Sequence, residues 1–383
     1  MIQQPSTTAQ LLEVFTLLQN MRESQPVAYD PATEIWHLFG YDEVEQMLND
    51  SQHFSAAALP HAPHARHRLA LDAPSHHLIR GVIKQALAPR EVNQLAPYIH
   101  TTVQTLLNQY RSSGSIEMMH DLITPLVMSS LAELVGIPSE QREDLQRTIS
   151  TLVVLPHSEQ MGRAIADLSP FLLPLLEQRR RQPEFDLLSR LLTAEVDGMH
   201  LPEPEVISFC CLLLVMEYET MIHLLGNAIY CLASRPEVCA RLRHVPAPIY
   251  STIEEVLRFL PPVWIVERTT VSDVTLGAQR IPAHARISAW IVSANRDARY
   301  FVQPEQFDID RIPNRHLSFG DSGMHFCVGV CLVRLLASIT LTQLVHQCND
   351  LALPPEHILE TVKTPTAFGL KNLPLTFQPL PLS

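Results

Sequence analysis

Apolar residues recur at helical spacing along most of the first 260 positions. Leu11, Leu12, Val14, Phe15 and Leu18 fall on one face, and Leu187, Leu188, Leu191, Leu192 and Val196 repeat the pattern until Asp197-Gly198 ends it. Pro202 and Pro204 mark the start of a further helix, and no proline or strong turn follows before Ser234. About 30 residues rising ~1.5 Å each predict a helix of about 45 Å. It is apolar nearly all round, so it is expected to run through the core. The pattern changes after Leu260. Pro261-Pro262 stops the helical period, β-rich runs at Val263–Val274 and Arg286–Val292 flank a turn at Gly277, and helical spacing returns from Val328 to about His346. The proline-rich tail reads as loops and hairpin strands. No repeat or low-complexity linker divides the chain. The expectation is one mainly α domain over 1–383, with small β-sheets near 26–60, 262–293 and 354–383.

Composition narrows the class. With 383 residues, 46% of them hydrophobic, the chain can bury a large core. Forty acidic against 28 basic residues, a net charge of −12, weigh against nucleic acid as a partner. The first 24 residues lack a basic leader and interleave polar with apolar positions, so neither a secretory signal nor a membrane anchor is expected. The longest strongly apolar run, Val206–Met216, is shorter than the ~17–25 residues that span a bilayer. Seven scattered cysteines without a CxxC pair suggest reduced thiols and a cytoplasmic protein.

The most informative stretch runs from His316 to Gly329. Glycines precede and follow Cys327, and an apolar helix begins directly after it. A cysteine at a helix N-terminus is expected to have a lowered pKa, because free N–H groups favour the thiolate. Such a thiolate suits the axial position of a haem iron; a buried structural cysteine is the alternative.

Phe319-Gly320, Gly323, His325, Cys327 and Gly329 resemble the haem-binding loop of the cytochrome P-450 family, Phe-Gly-x-Gly-x-His-x-Cys-x-Gly, with one residue inserted around Asp321-Ser322. Glu255-Val-Leu-Arg258 is similar to the family's Glu-x-x-Arg helix. Pro304-Glu-Gln306-Phe307 corresponds to its Pro-x-Arg-Phe segment, placing a neutral Gln306 where a third network residue, often arginine, stands. Ala294-Asn-Arg-Asp297 is also familiar from bacterial members. The resemblance implies a mainly α cytochrome P-450 fold with haem b between the long central helix and the helix after Cys327, the metal ligand. By the same resemblance His76 and Arg80, from Asp72-Ala-Pro-Ser-His-His-Leu-Ile-Arg80, together with Arg268 and His325, would bind the haem propionates.

On the oxygen side, Glu219-Thr220 matches the family's acid–alcohol pair. Thr220 would hydrogen-bond the oxygen being reduced, and Glu219 would relay protons from solvent. Just upstream, Met216 and Glu217 stand where the family has a small residue and glycine. That departure is expected to narrow the pocket and alter the local helix distortion. Pocket walls implied by the resemblance are the loop 56–71, residues 152–155, the central helix with Met216, Val263–Val266 with Trp264 as a large anchor beside Ile265, and the segment Ala367–Leu370 with Phe368. They suit a lipophilic small molecule. With no flavin or nicotinamide fingerprint, electrons would come from a ferredoxin and an NAD(P)H-dependent ferredoxin reductase, docking near Lys84, Arg90, Arg315 and Arg334. The expected activity is an O2-dependent monooxygenase that hydroxylates or epoxidises, probed against two alternatives: a haem-thiolate peroxygenase or isomerase, and a non-catalytic haem-based sensor.

Overall fold

The computed structural model describes residues 5–56, 75–153, 155, 157–245, 248–355, 358–362, 364 and 366–380, with the backbone alone at 75–78, 157–159 and 161. The first apolar stripe forms helix Leu11–Ser24, which buries Leu11, Val14 and Leu18. The second forms Leu187–Thr193; Asp186 caps it by accepting from the Ser189 N–H at 2.8 Å.

The central helix runs from Glu203 to Ala233, 31 residues, with Pro202 at its N-cap and Pro204 in its first turn. It is not uniform. Leu213–Glu217 widens into a π turn between the α-helical stretches Glu203–Leu212 and Tyr218–Ala233. The distortion therefore forms without a glycine at 217. The Thr220 hydroxyl, donating to the Met216 carbonyl at 3.0 Å, satisfies an oxygen at the end of the widened turn.

Helix Val330–Gln347 follows the cysteine loop and packs against helices Ala96–Asn108 and Ile249–Phe259. It and the central helix are long and apolar enough to cross a bilayer. Most of each one's most apolar window, 56% and 61%, is buried inside the fold, the environment of core helices.

The larger sheet orders its strands Val27–Asp30, Ile35–Leu38, Arg286–Trp290, Ile265–Thr270 and Phe54–Ser55. Ile35–Leu38 pairs in parallel with Arg286–Trp290, and the other pairs are antiparallel. A second sheet joins Ser115–Glu117, Pro374–Pro379 and Cys348–Ala352. Its first strand carries no sequence signal, since three residues are too few to show alternation.

Candidate active site

The site rests on a buried ionic scaffold. Glu255 and Arg258, one turn apart on helix Ile249–Phe259, are both fully buried. Arg258 Nε and Nη2 donate to the Glu255 carboxylate at 2.8 and 2.7 Å, and its remaining N–H groups reach the carbonyls of Asn295, Pro304 and Gln306. Gln306 corrects the sequence expectation: its backbone carbonyl joins the network while its side chain is exposed. The second guanidinium belongs to Arg311, whose Nε lies 3.1 Å from Glu255. The Asp308 N–H and the Asn314 amide also donate to this carboxylate. Charges this deep need such partners, because burial removes the water that would otherwise solvate them.

The scaffold holds the start of the cysteine loop. Asn295 Oδ1 accepts from the Leu317 N–H at 2.8 Å and its Nδ2 donates to the Ser318 hydroxyl at 2.9 Å. From there the loop doubles back: the Gly320 N–H donates to Leu317 O, and the Cys327 N–H to Phe319 O at 2.8 Å. Gly320 has φ +85°, a left-handed conformation that favours glycine. A Cβ on Gly323 would stand 2.1 Å from the Leu48 carbonyl, so the backbones touch there. The inserted residue is absorbed outward. Asp321 adopts φ 49°, and both it and Ser322 hydrogen-bond Asn49 at the end of helix Tyr41–Asn49. The spacing from Gly323 to Cys327 is thereby left intact.

Above the loop lies a cavity of about 280 Å³. Cys327, His325, Phe319 and Gly320 line it from the loop, Met216, Glu217, Thr220 and Leu224 from the central helix, and Val263, Val266 and Arg268 from the sheet side. Val266 and Arg268 are two apart on one strand and so share a face. Val266 is among the expected wall residues, whereas sequence reasoning did not name Leu48, Leu224, Leu257 or Pro262. For Leu224, a usable signal is its spacing of four from Thr220.

Four expected wall residues lie elsewhere. Trp264 is fully buried in the core, stacked on Phe368 at 4.8 Å and 10° and set against Phe15; neither it nor Phe368 reaches the cavity, and Ile265 packs against the core. Val263 and Trp264 precede the strand, which begins at Ile265, and there Val263 bridges Ala367 while Trp264 turns into the core. Leu152 is likewise a core residue. The loop 57–74 and the His76 side chain lie outside the described residues.

Arg80 approaches the loop from below, donating from Nη2 to the Phe326 carbonyl at 2.6 Å. Burial lowers its pKa, while the nearby Cys327 works against that shift. Arg268 donates to the Glu267 carbonyl and faces the cavity. Arg334 is not a free surface cation: it makes a bidentate pair with Glu254 at 2.8 and 2.7 Å and covers the Phe319 ring at 4.9 Å.

The electrostatics of the sulfur differ from the helix-terminus expectation. Burial and the Glu217 carboxyl push the Cys327 pKa up; the N–H groups of Gly329 and Val330 and the Arg80 guanidinium pull it down and are outweighed. Glu217 is itself pushed up to about 7 by burial. Its Oε1 would stand 2.7 Å from a Cβ on Gly329, so this carboxyl reaches from the central helix to the start of the last long helix. Gly329 leaves it room.

The comparisons agree with this geometry. The family model for cytochrome P450 matches residues 249–379. The chain is 35% identical over 374 residues to cytochrome P450 109 of Bacillus spizizenii, covering 94% of this chain and 91% of the relative. It is 32% identical over 377 residues to the cyclomarin C epoxidase CymV of Salinispora arenicola, covering 94% and 95%. The crystal structure of CYP109E1 from Bacillus megaterium in complex with testosterone superimposes with a TM-score of 0.88 at 30% identity, over 94% of this chain and 98% of that one. A buried Glu-x-x-Arg scaffold, a cysteine at the mouth of the last long helix and an acid–alcohol pair on the central helix thus meet full-length similarity, and the chain belongs to the cytochrome P450 family.

Proposed function

We propose that this enzyme hydroxylates or epoxidises a lipophilic small molecule of bacterial specialised metabolism, taking two electrons from a ferredoxin and its NAD(P)H-dependent reductase in the cytoplasm. The family consists of haem-thiolate monooxygenases that bind haem b. The residues present fit that group: a cysteine sulfur opens into an apolar-walled cavity whose rim carries Arg268 and His325. Cys327 would hold the iron, and His76, Arg80, Arg268 and His325 the propionates, with Arg80 also donating to the Phe326 carbonyl of the loop. Bound there, the haem supplies O2 reduction and insertion of one oxygen atom, with the thiolate favouring O–O cleavage.

The chain's own residues arrange the rest. Thr220 presents its hydroxyl at the cavity wall, donating to the Met216 carbonyl, so that its oxygen can accept a hydrogen bond from a group in the cavity. Glu219 precedes it on the same helix and would return protons to it. Met216, Leu224, Val263 and Val266 form the apolar wall against which a substrate is oriented and from which water is excluded. Lys84, Arg90 and Arg315 are exposed and would form the docking face for the electron donor; Arg334, paired with Glu254, drops out of it.

The observation that carries this reading is Cys327 facing the Thr220-bearing turn across one cavity. Reconstitution with ferredoxin, reductase and isotopically labelled O2 tests it: one labelled oxygen atom enters the product, and turnover falls as ionic strength rises. A second reading, a peroxygenase, is favoured by Glu217, a cavity carboxyl with its pKa near 7, the range suited to general acid–base work. Product formed with peroxide alone, but not with reductase and O2, would select it.

A further inference from the structure

One buried titratable group on the central helix has no role in that scheme. His223 lies one turn beyond Glu219 and is 5% exposed. Among the described residues neither ring nitrogen has a hydrogen-bond partner, and Nε2 stands 3.6 Å from Glu219 Oε1, just outside hydrogen-bond distance. One turn further on, fully buried Asn227 donates to the carbonyls of Leu260 and Phe368 at 3.1 and 3.3 Å, while its Oδ1 has no partner. The spacing of four puts residues 219, 223 and 227 on one face, a polar stripe along an otherwise apolar helix. Gly369 makes room for it, since a Cβ there would stand 2.0 Å from His223 Nδ1. Thr220 lines the cavity and Glu219 does not. The acid therefore stands between a cavity-facing hydroxyl and a core-facing imidazole.

An imidazole with two unsatisfied nitrogens in the core costs stability relative to an apolar ring of the same shape. Space filling does not account for it. We infer that His223 is a positioning residue for proton delivery: it holds the Glu219 carboxylate in place and restores its proton after Glu219 has passed one towards Thr220. In that step the Nε2–H bond of the protonated imidazole breaks and an O–H bond forms at Glu219 Oε1. The ring is left neutral, and a hydronium proton from bulk solvent restores it, leaving water. The inference rests on the reading of Glu219 and Thr220 as the proton-delivery pair.

The test uses the haem-loaded enzyme. His223→Phe keeps a ring of similar volume and removes both nitrogens. With a heterologous ferredoxin and reductase, NADH-driven O2 consumption is expected to fall about tenfold, the scale on which supporting residues affect metal-site chemistry. Glu219→Gln is expected to cause a comparable fall, and the double variant no further loss. If Glu219→Gln slows the reaction and His223→Phe does not, the inference is wrong and the acid–alcohol reading stands. If neither variant slows it, both readings fail. A second readout does not depend on turnover. In 15N-histidine-labelled protein in its diamagnetic ferrous carbonyl form, the imidazole signal that disappears in His223→Phe is expected to move in Glu219→Gln. A signal that stays in place overturns the contact. Should His223→Phe lack the thiolate-type carbonyl spectrum, His223→Asn replaces it, its smaller amide fitting the same space.

Discussion

Arg311, not the side chain of Gln306, should be the residue whose loss unbalances the buried scaffold. In Arg311→Ala, Glu255 loses a charged donor at 3.1 Å, and the carbonyls of Val302 and Gln306 lose donors at 2.6 and 3.1 Å. A hydrogen bond to a charged group contributes about 1.5–3 kcal/mol, and each ordinary one about 1. The sum, about 3.5–5 kcal/mol, falls within the range for removing one member of a buried ionic cluster. Gln306→Ala leaves the backbone carbonyl in place and removes only an exposed side chain, so its effect should stay within about 0.5 kcal/mol. Urea unfolding followed by far-ultraviolet circular dichroism and by the haem Soret band measures both. Because the scaffold anchors Leu317 and Ser318, the two signals should shift together in Arg311→Ala. A loss below about 1 kcal/mol for Arg311→Ala, or one above about 2 kcal/mol for Gln306→Ala, would refute this reasoning.

Other perturbations test separate parts of the account. Gly323→Ala drives a Cβ into the Leu48 carbonyl and should destabilise the protein by about 1–3 kcal/mol while lowering the haem-to-protein ratio of purified enzyme; an unchanged ratio would argue against the tight backbone contact. Glu217, raised to about 7 in the folded chain from an ordinary value of 4.5, keeps its proton after the unfolded chain has lost it. Stability of the haem-free protein should therefore fall as pH rises from about 4.5 to about 7 and level off above that, and Glu217→Gln should abolish this part of the slope in urea titrations. Met216→Ala shortens a side chain at the cavity wall, so larger azole or steroid probes should produce spin-state changes at lower concentration than in the wild type, read by optical titration.

Legibility in the sequence followed the range of the signal. The central helix could be read because its cue is local and long: an apolar run with prolines at its start and none within it. The cysteine loop could be read because glycines at fixed spacing are imposed by backbone contacts, as Gly323 against Leu48 shows. Arg311 could not. It reaches Glu255 from 56 residues away along the chain, and no periodicity spans the turns between them. Trp264 was misplaced for a related reason. Its size suggested a pocket wall, but it stacks on Phe368 and sits against Phe15 in the core, contacts with distant segments that no local pattern shows, and leaves Val263 to face the cavity. The Cys327 pKa was misjudged because helix-end N–H groups are visible in a sequence while the depth of burial and a carboxyl from another helix are not. His223 escaped notice for want of a motif; only burial and missing partners single it out.

The central claim is that the Cys327 sulfur is the axial ligand of the haem iron. Its most direct measurement is the optical spectrum of the dithionite-reduced carbonyl complex of freshly purified, haem-loaded protein, compared with that of Cys327→Ser. The wild type should show the red-shifted thiolate-type Soret band, and the variant should lose it even where haem is retained. A wild type without that band, or a Cys327→Ser variant that keeps it, would contradict the assignment.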